Sequence, residues 1–378
     1  MQEKTDDNDF SLLRTGQRVD REKEEYVPVN KGHFEMDTDE RIMAFHQKLG
    51  GGWESKYKEY REAWQVLPEN KIIRDYPVIV DLELSSACNL RCPMCYTTTE
   101  KFKDSVNAQL MDYELFKKVV DEVAGKVYGI RLSWRGESTL HKNFIDAIRY
   151  AKGKGVQEIS FLTSGWNLTL DYFKELSDAG ADWITVSFDG LGEEYNKIRK
   201  PLTCEGTLKN LKDIQDYKRA SGVVKPVIKV QGIWPAIKKD PDKFYQTLSK
   251  VSDLVAFNPI IDYLGNDSDI VYEKNFSCPQ LYERVFVSAS GDVLMCNGDE
   301  SGEEIIGNAY NETIYEIWHG KRINECREIH KKEEGFREIP ICLKCFYPRK
   351  TELNEKAFVN GKEIHIENYI NRPQEVGK

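Results

Sequence analysis

Residues 78–95 read VIVDLELSSACNLRCPMC, and the organisation of the chain can be worked outward from them. The first seven are β-branched and apolar enough for a buried strand. Cys88, Cys92 and Cys95 follow within eight residues. Three thiolates so close together can wrap one metal centre. A closed structural zinc site takes four ligands, but no fourth stands nearby and no His follows at finger spacing. Three thiolates suit an iron–sulfur cubane that leaves one iron open to a substrate or cofactor, whereas a purely electron-transferring site takes four. A zinc loop borrowing a distant ligand is the competing reading.

Downstream the same kind of run recurs: GIRLSW (129–134), EISFLT (158–163), WITVSF (183–188), VIKVQGIW (227–234) and LVAFNPI (254–260). Amphipathic segments near 112–125, 143–153, 171–179, 207–220 and 242–250 lie between them. Tyr113, Phe116, Val119, Val120 and Val123 show the helical spacing. Six βα units predict a parallel sheet, as a partial barrel or a doubly wound sheet, with active residues just after the strand ends. Upstream, 39–66 reads as two helical pieces hinged at Gly50-Gly51-Gly52. The second carries an aromatic stripe (Trp53, Tyr57, Tyr60, Trp64) suited to packing on the next domain. Residues 1–32, charged and aperiodic, read as a loose arm.

The 378 residues make about two and a half domains at ~150 residues each. The balance of 54 basic against 63 acidic residues, net −9, disfavours a protein that wraps nucleic acid. No run reaches the ~18 apolar residues of a membrane span. The opening MQEKTDDNDF lacks a secretion pattern, so a cytoplasmic address is expected. Nine cysteines, an odd number, favour metal over a disulfide framework in that compartment.

After about residue 270 the text becomes turn-rich. Cys278 and Cys296 flank a hairpin turning at Ser290-Gly291-Asp292, a helix is predicted near 313–331, and Cys342-Leu343-Lys344-Cys345 follows. Four thiolates fit a closed metal site, and spacing alone leaves a zinc ribbon open. Cys326 falls on the apolar face of its helix and reads as a core residue. Cys204 reads as lying in a loop after the fourth strand. The final stretch, IENYINRPQEVGK, reads as a tail.

CNLRCPMC matches the CxxxCxxC signature of radical S-adenosylmethionine enzymes, and its place after the first strand resembles theirs. The resemblance, over roughly residues 75–350, implies an α/β partial (β/α)6 barrel at 76–270. A charged arm and helical extension (1–75) precedes it, and a small hairpin-and-helix cluster domain with a tail (271–378) follows. It implies a four-iron four-sulfur cluster on Cys88, Cys92 and Cys95, whose open iron is chelated by S-adenosylmethionine. Reductive cleavage would then give a 5′-deoxyadenosyl radical that abstracts hydrogen.

Trp134-Arg135-Gly136-Glu137-Ser138 resembles the family's Gly-Gly-Glu motif, with Arg135 where the first Gly is usual. It implies that Gly136 and Glu137 meet the methionine ammonium. Thr163-Ser164-Gly165 resembles the Thr-Asn-Gly turn, implying a contact at Ser164. Ser187-Phe188-Asp189-Gly190 is similar to the strand whose polar side chains, here Ser187 and Asp189, reach the ribose. Arg199 ends a segment whose Arg reaches the methionine carboxylate; a surface salt bridge is its other reading. Met94 stands where an aromatic residue is common, and with Tyr96 nearby is an implied adenine contact.

The text from Cys278 through Gly307-Asn308, Trp318-His319-Gly320 and Pro340-Ile341 to Cys345 resembles the SPASM/twitch extension. No cysteine follows Cys345, which implies the one-cluster form, with an auxiliary four-iron four-sulfur cluster on Cys278, Cys296, Cys342 and Cys345 serving electron transfer. The implied reaction is oxidation of an alcohol carbon on a small polar substrate, a sugar or aminocyclitol. The auxiliary cluster would accept an electron, and a flavodoxin or ferredoxin would be the reductant. A peptide-modifying maturase, a redox-neutral epimerase with Cys204 as catalytic hydrogen donor, and a zinc-stapled scaffold are the alternatives. Arg135, His141, Tyr195 and Trp234 lie near strand ends, but no base can be singled out among them.

Overall fold

A computed structural model describes residues 34–258 and 269–371, without the side chains of Phe34, Glu35 and Asn354. The arm expected at 1–32 lies outside the described residues, as do Pro259 and Ile260 of the sixth apolar run. The strands in chain order are β1 (Phe34–Glu35), β2 (Ile79–Leu82), β3 (Gly129–Arg131), β4 (Glu158–Thr163), β5 (Trp183–Ser187), β6 (Val227–Ile233) and β7 (Leu254–Asn258). Then come β8 (Arg284–Val287), β9 (Asp292–Leu294), β10 (Ile305–Asn308), β11 (Thr351–Val359) and β12 (Lys362–Tyr369). Each of the six predicted runs holds one of β2–β7.

One sheet of ten strands has the order β1-β7-β6-β5-β4-β3-β2-β8-β9-β10. Strands β2 to β7 are all parallel, β8 adds to β2 in parallel, β1 takes one edge antiparallel, and β9 and then β10 continue antiparallel from β8 to the other. The barrel is therefore open, and each edge is covered by a short partner that blocks further pairing. The boundary placed at 270/271 interrupts the chain but not the sheet, because β8 and β9 are the predicted hairpin.

Residues in register share a face, and faces alternate along each strand. Phe161 on β4 meets Phe144 of the helix Phe144–Gly153 edge-on at 4.9 Å, which marks the helix-covered face. The opposite, concave face carries Asp81, Arg131, Ser160, Thr185 and Lys229 in successive strands. Helices α1 (Asp39–Gly50) and α2 (Glu54–Glu69) floor this concavity at the strand starts. Phe45 meets Trp183, the first residue of β5, at 5.4 Å. Tyr60 Oη donates to Glu158, the first residue of β4, at 3.2 Å. Trp64 lies under the Arg284 guanidinium, at the start of β8, at 4.3 Å. The aromatic stripe thus has the packing role read from its spacing.

Three features depart from expectation. The helix near 313–331 is two, Ile314–Trp318 and Lys321–His330, separated at Gly320. The start of the expected tail, 366–369, is part of a hairpin, while 372–378 lie outside the described residues: β12 pairs β11 antiparallel, turning at Asn360-Gly361 with φ of 51° and 74°. Cys204 opens the helix Cys204–Ser221 instead of lying in a loop, because the Thr203 hydroxyl caps Gly206 N–H. Among the described residues no helix is long and apolar enough to cross a membrane.

Burial has a measurable cost at Glu283, fully enclosed before β8. Its carboxyl is pushed from 4.5 to about 8 by desolvation, against the pull of Arg284 and Arg61. A raised folded-state value means that this group's stabilisation is complete below about pH 4.5 and is lost as pH rises through about 8. The melting temperature is expected to fall by a few degrees between pH 5 and 8. Glu283→Gln should flatten that profile in calorimetry, and an unchanged slope would contradict the assignment.

Candidate functional site

The first cysteine loop leaves β2 and is pinned by its neighbours. Glu137 N–H donates to Ala87 O at 2.8 Å, and the Ser86 hydroxyl donates to Asn107 O at 2.8 Å. Gly136 has φ +47°, and a Cβ there would lie 2.4 Å from Ser85 O and 2.5 Å from Ala87 O. Only glycine allows this approach, so the turn after β3 and the segment leading to Cys88 fit as one unit.

Arg135, which replaces a glycine of the motif, is buried in a bidentate pair with Glu83. Nε donates to Oε1 and Nη2 to Oε2, both at 2.6 Å. Nη1 donates to Glu300 O at 3.0 Å, and the guanidinium lies 3.9 Å from the Trp134 ring centre. The backbone approach is therefore kept by Gly136 alone, while Arg135 ties the cysteine-bearing strand to the 297–300 loop. Glu83 was not singled out from sequence, although a carboxylate inside VIVDLEL asks for a buried partner.

The implied cofactor contacts converge on the thiols. The Glu137 carboxylate accepts from Ser164 N–H and from the Thr139 hydroxyl, each at 2.7 Å. The Cys88 thiol is raised first by desolvation and also by Glu137. Cys92 is pushed up to about 11 by burial, with Arg199 opposing and Asp189 adding. Arg199 is no surface residue: its Nε donates to Asp189 Oδ2 at 2.6 Å, and Asp189 Oδ1 accepts from Ile233 N–H at 3.0 Å. Both oxygens of Asp189 thus serve Arg199 and β6, leaving Ser187, half-buried, as the less committed polar group on that strand. Met94 and Tyr96 are half-buried, and Tyr96 packs edge-on against Phe102 at 5.5 Å.

The donor set fits a cluster. Three thiols stand on one loop, and both polar atoms of the Asn89 amide between them are buried without a partner among the described residues.

The second set comes together as expected. Cys278, Cys296, Cys342 and Cys345 line one cavity with Phe276, Met295, Ile341 and Tyr347. Burial pushes all four thiols up, Cys345 to about 12, so without a cation they are neutral. A Cβ at Gly298 would crowd Cys345 Sγ, at 3.2 Å. The residues fit a cluster held in an apolar pocket. Among the described residues no three metal-ligating side chains converge on the position of a single ion.

His330, not anticipated from sequence, sits against this cavity. Its Nδ1 accepts Cys278 N–H at 3.3 Å, so the proton is on Nε2, 3.5 Å from Cys342 Sγ. Burial lowers its pKa to about 4, which keeps the ring neutral. Hydrogen bonds to ligating sulfurs raise a cluster's potential. His330→Leu is expected to shift the auxiliary midpoint negative in an EPR-monitored titration, leaving the other cluster's midpoint in place.

The four residues named near strand ends are engaged. Arg135 holds Glu83; His141 Nδ1 accepts Asn143 N–H at 3.1 Å while Nε2 donates to Met111 O at 2.9 Å. Tyr195 Oη meets Thr207 Oγ1 at 2.8 Å, and Trp234 Nε1 donates to Glu355 at 2.7 Å. Cys204, 5% exposed, belongs to the core behind β5, with Gly192 N–H directed at its sulfur.

The chain matches the radical SAM superfamily over residues 82–229 and the SPASM iron–sulfur cluster-binding domain over 278–346. It is 33% identical over 299 residues to the tungsten-containing aldehyde ferredoxin oxidoreductase cofactor-modifying protein of Pyrococcus furiosus, spanning 75% of this chain and 77% of that one. The chain belongs to the radical S-adenosylmethionine superfamily. A shorter match, 28% identical over 126 residues, is to the Fe-coproporphyrin III synthase of Methanosarcina barkeri, covering 33% of this chain and 31% of that one.

Among solved structures, BtrN in complex with AdoMet and 2-DOIA aligns with TM-score 0.50 and 18% identity, over 71% of this chain and 92% of that one. The anSMEcpe enzyme with bound AdoMet aligns with TM-score 0.52 and 16% identity, over 71% and 88%. At such identity these likenesses establish the fold, that of radical S-adenosylmethionine enzymes. The superfamily's cofactors, S-adenosylmethionine and iron–sulfur clusters at the SAM and SPASM sites, are those of this chain.

Proposed function

We propose that this radical S-adenosylmethionine enzyme oxidises a small polar substrate in the concavity of its open barrel, and that the auxiliary site takes up the second electron. When bound, the first cluster and S-adenosylmethionine supply a 5′-deoxyadenosyl radical that removes a hydrogen atom from substrate carbon. The chain's own part is positional. Glu137, fixed by Ser164 and Thr139, offers its remaining lone pairs to an ammonium. Arg199, turned by Asp189, is the cation beside Cys92. Ser187 and Tyr96 line the remaining approach.

The observation that carries the oxidative reading is Tyr347. It lines the four-cysteine cavity and feels the charge of both Cys345 and Arg284, the latter at the start of β8 on the concave face. This supports an auxiliary site close to the floor of the concave face, and four protein thiols leave no corner of a cubane for substrate. The similarity to a cofactor-modifying protein, over 77% of that chain, makes the cofactor of an aldehyde oxidoreductase the first substrate to test, ahead of sugars and aminocyclitols.

The test is an anaerobic incubation of the reduced, cluster-loaded enzyme with S-adenosylmethionine and each candidate, a flavodoxin or ferredoxin serving as reductant. 5′-Deoxyadenosine formed together with a substrate two electrons more oxidised supports the reading. Turnover without net substrate oxidation, or zinc in place of iron and sulfide, overturns it.

A further inference from the structure

Part of the concave face is open: Asp81, Thr185 and Lys229 are buried on it, but other residues are not. In the middle strands of a ten-stranded sheet, Arg131, Ser160, Leu162, Ser187 and Gln231 are only half-buried, although their neighbours on the helix-covered face are fully enclosed. The hollow is floored by α1 and α2 and opens where the strands end, toward Gly136, Glu137 and Ser164.

Arg131 stands in its wall, in register with Asp81 on one side and Ser160 on the other. Its side chain is 31% exposed, and its nearest carboxylate oxygen, Asp81 Oδ1, is 3.8 Å from Nε, too far for a hydrogen bond. That oxygen is itself buried and has no hydrogen-bond partner among the described residues. Asp81 turns its other oxygen to Arg284, at 3.4 Å. Three deeply placed arginines elsewhere have close acceptors: Arg135 on Glu83, Arg199 on Asp189, and Arg327 Nε and Nη1 on Leu281 O and Trp318 O. The exposed part of the Arg131 guanidinium, with no hydrogen bond to a carboxylate, is turned to the concave side and open to a ligand there.

We propose that Arg131 holds an oxyanion of the substrate, a carboxylate or a phosphate group, at mid-depth in the barrel. The planar fork of Arg suits either group in a bidentate contact. Ser160, one strand away and half-buried, adds a hydroxyl donor. Strand rise places Arg131 about 7 Å below Ser133, where the strand gives way to the cofactor-contacting turn. A molecule of modest length anchored at Arg131 thus presents a carbon at the mouth. This deepens the proposed function by naming the charge of its substrate, and it rests on that reading for the identity of the space.

The test uses the anaerobically reconstituted full chain and two probes, inorganic phosphate and malonate, titrated by calorimetry. Wild type is expected to bind at least one, and the tighter probe tells phosphate from carboxylate. Arg131→Met should weaken that binding at least tenfold. Should Arg131→Met fold poorly, Ser160→Asp supplies an internal carboxylate beside Arg131 and should abolish binding equally. Lys212→Met, on an exposed helix face, should leave it unchanged.

Equal binding by wild type and both lumen variants, or binding of neither probe, overturns the proposal. S-adenosylmethionine cleavage by wild type is measured in the same preparation. Its absence would defeat the proposed function, while a probe bound through Arg131 would still stand.

Discussion

Gly136→Ala is expected to cut S-adenosylmethionine cleavage by at least ~10²-fold and to lower the iron bound at the first site, with little change in circular dichroism. The methyl group has nowhere to go: backbone oxygens of Ser85 and Ala87 occupy its position, and φ +47° is already unfavourable for alanine. Backbone cannot swing aside as a lysine tip can, so the segment leading to Cys88 must move. A displacement of about 1 Å in a positioned reacting group is worth about that factor in rate. The rest of β2 and β3 is held by parallel ladder bonds, which is why the fold should survive. Full iron content with an unchanged rate of 5′-deoxyadenosine formation would contradict the argument.

Arg135→Met is expected to destabilise the protein by about 3–5 kcal/mol, because it leaves Glu83 as an uncompensated buried charge. Glu83 is fully enclosed and Arg135 is 5% exposed, so water cannot take over. Ala289 N–H, at 2.9 Å from Glu83 Oε2, also donates to that carboxylate. Arg135→Lys should recover little, since one ammonium cannot satisfy two oxygens and Glu300 O together. The double variant Arg135→Met/Glu83→Leu should recover most of the loss in chemical denaturation. A double variant as unstable as the single one would show that packing, and not the stranded charge, sets the cost.

The six parallel strands were readable because strands buried on both faces are continuous apolar runs, and helical segments fall between them. The cysteine positions were readable because ligand spacing is local. What escaped was long-range pairing. Arg135 looked like a flaw in a glycine motif until Glu83, fifty-two residues earlier, was seen beneath it. His330 carried no signal at all, since its partners Cys278 and Cys342 reach it only through the fold.

The C-terminal hairpin, read as a tail, had by contrast a local signal. Asn360-Gly361 is a strong two-residue turn signal, and Ile364 and Ile366 alternate with His365 and Glu367 around it. Thr203 likewise announces a helix start at Cys204, which removes the thiol from a loop and sets it in the core.

Strand β2 has β3 on one side and β8 on the other. The strand that carries the first cysteine loop is therefore a direct neighbour of the strand that opens the auxiliary hairpin. Loading of the two inorganic centres is therefore expected to be coupled: iron seated at one end should stiffen the shared ladder and lower the entropic penalty at the other, which stepwise reconstitution would read as cooperative uptake.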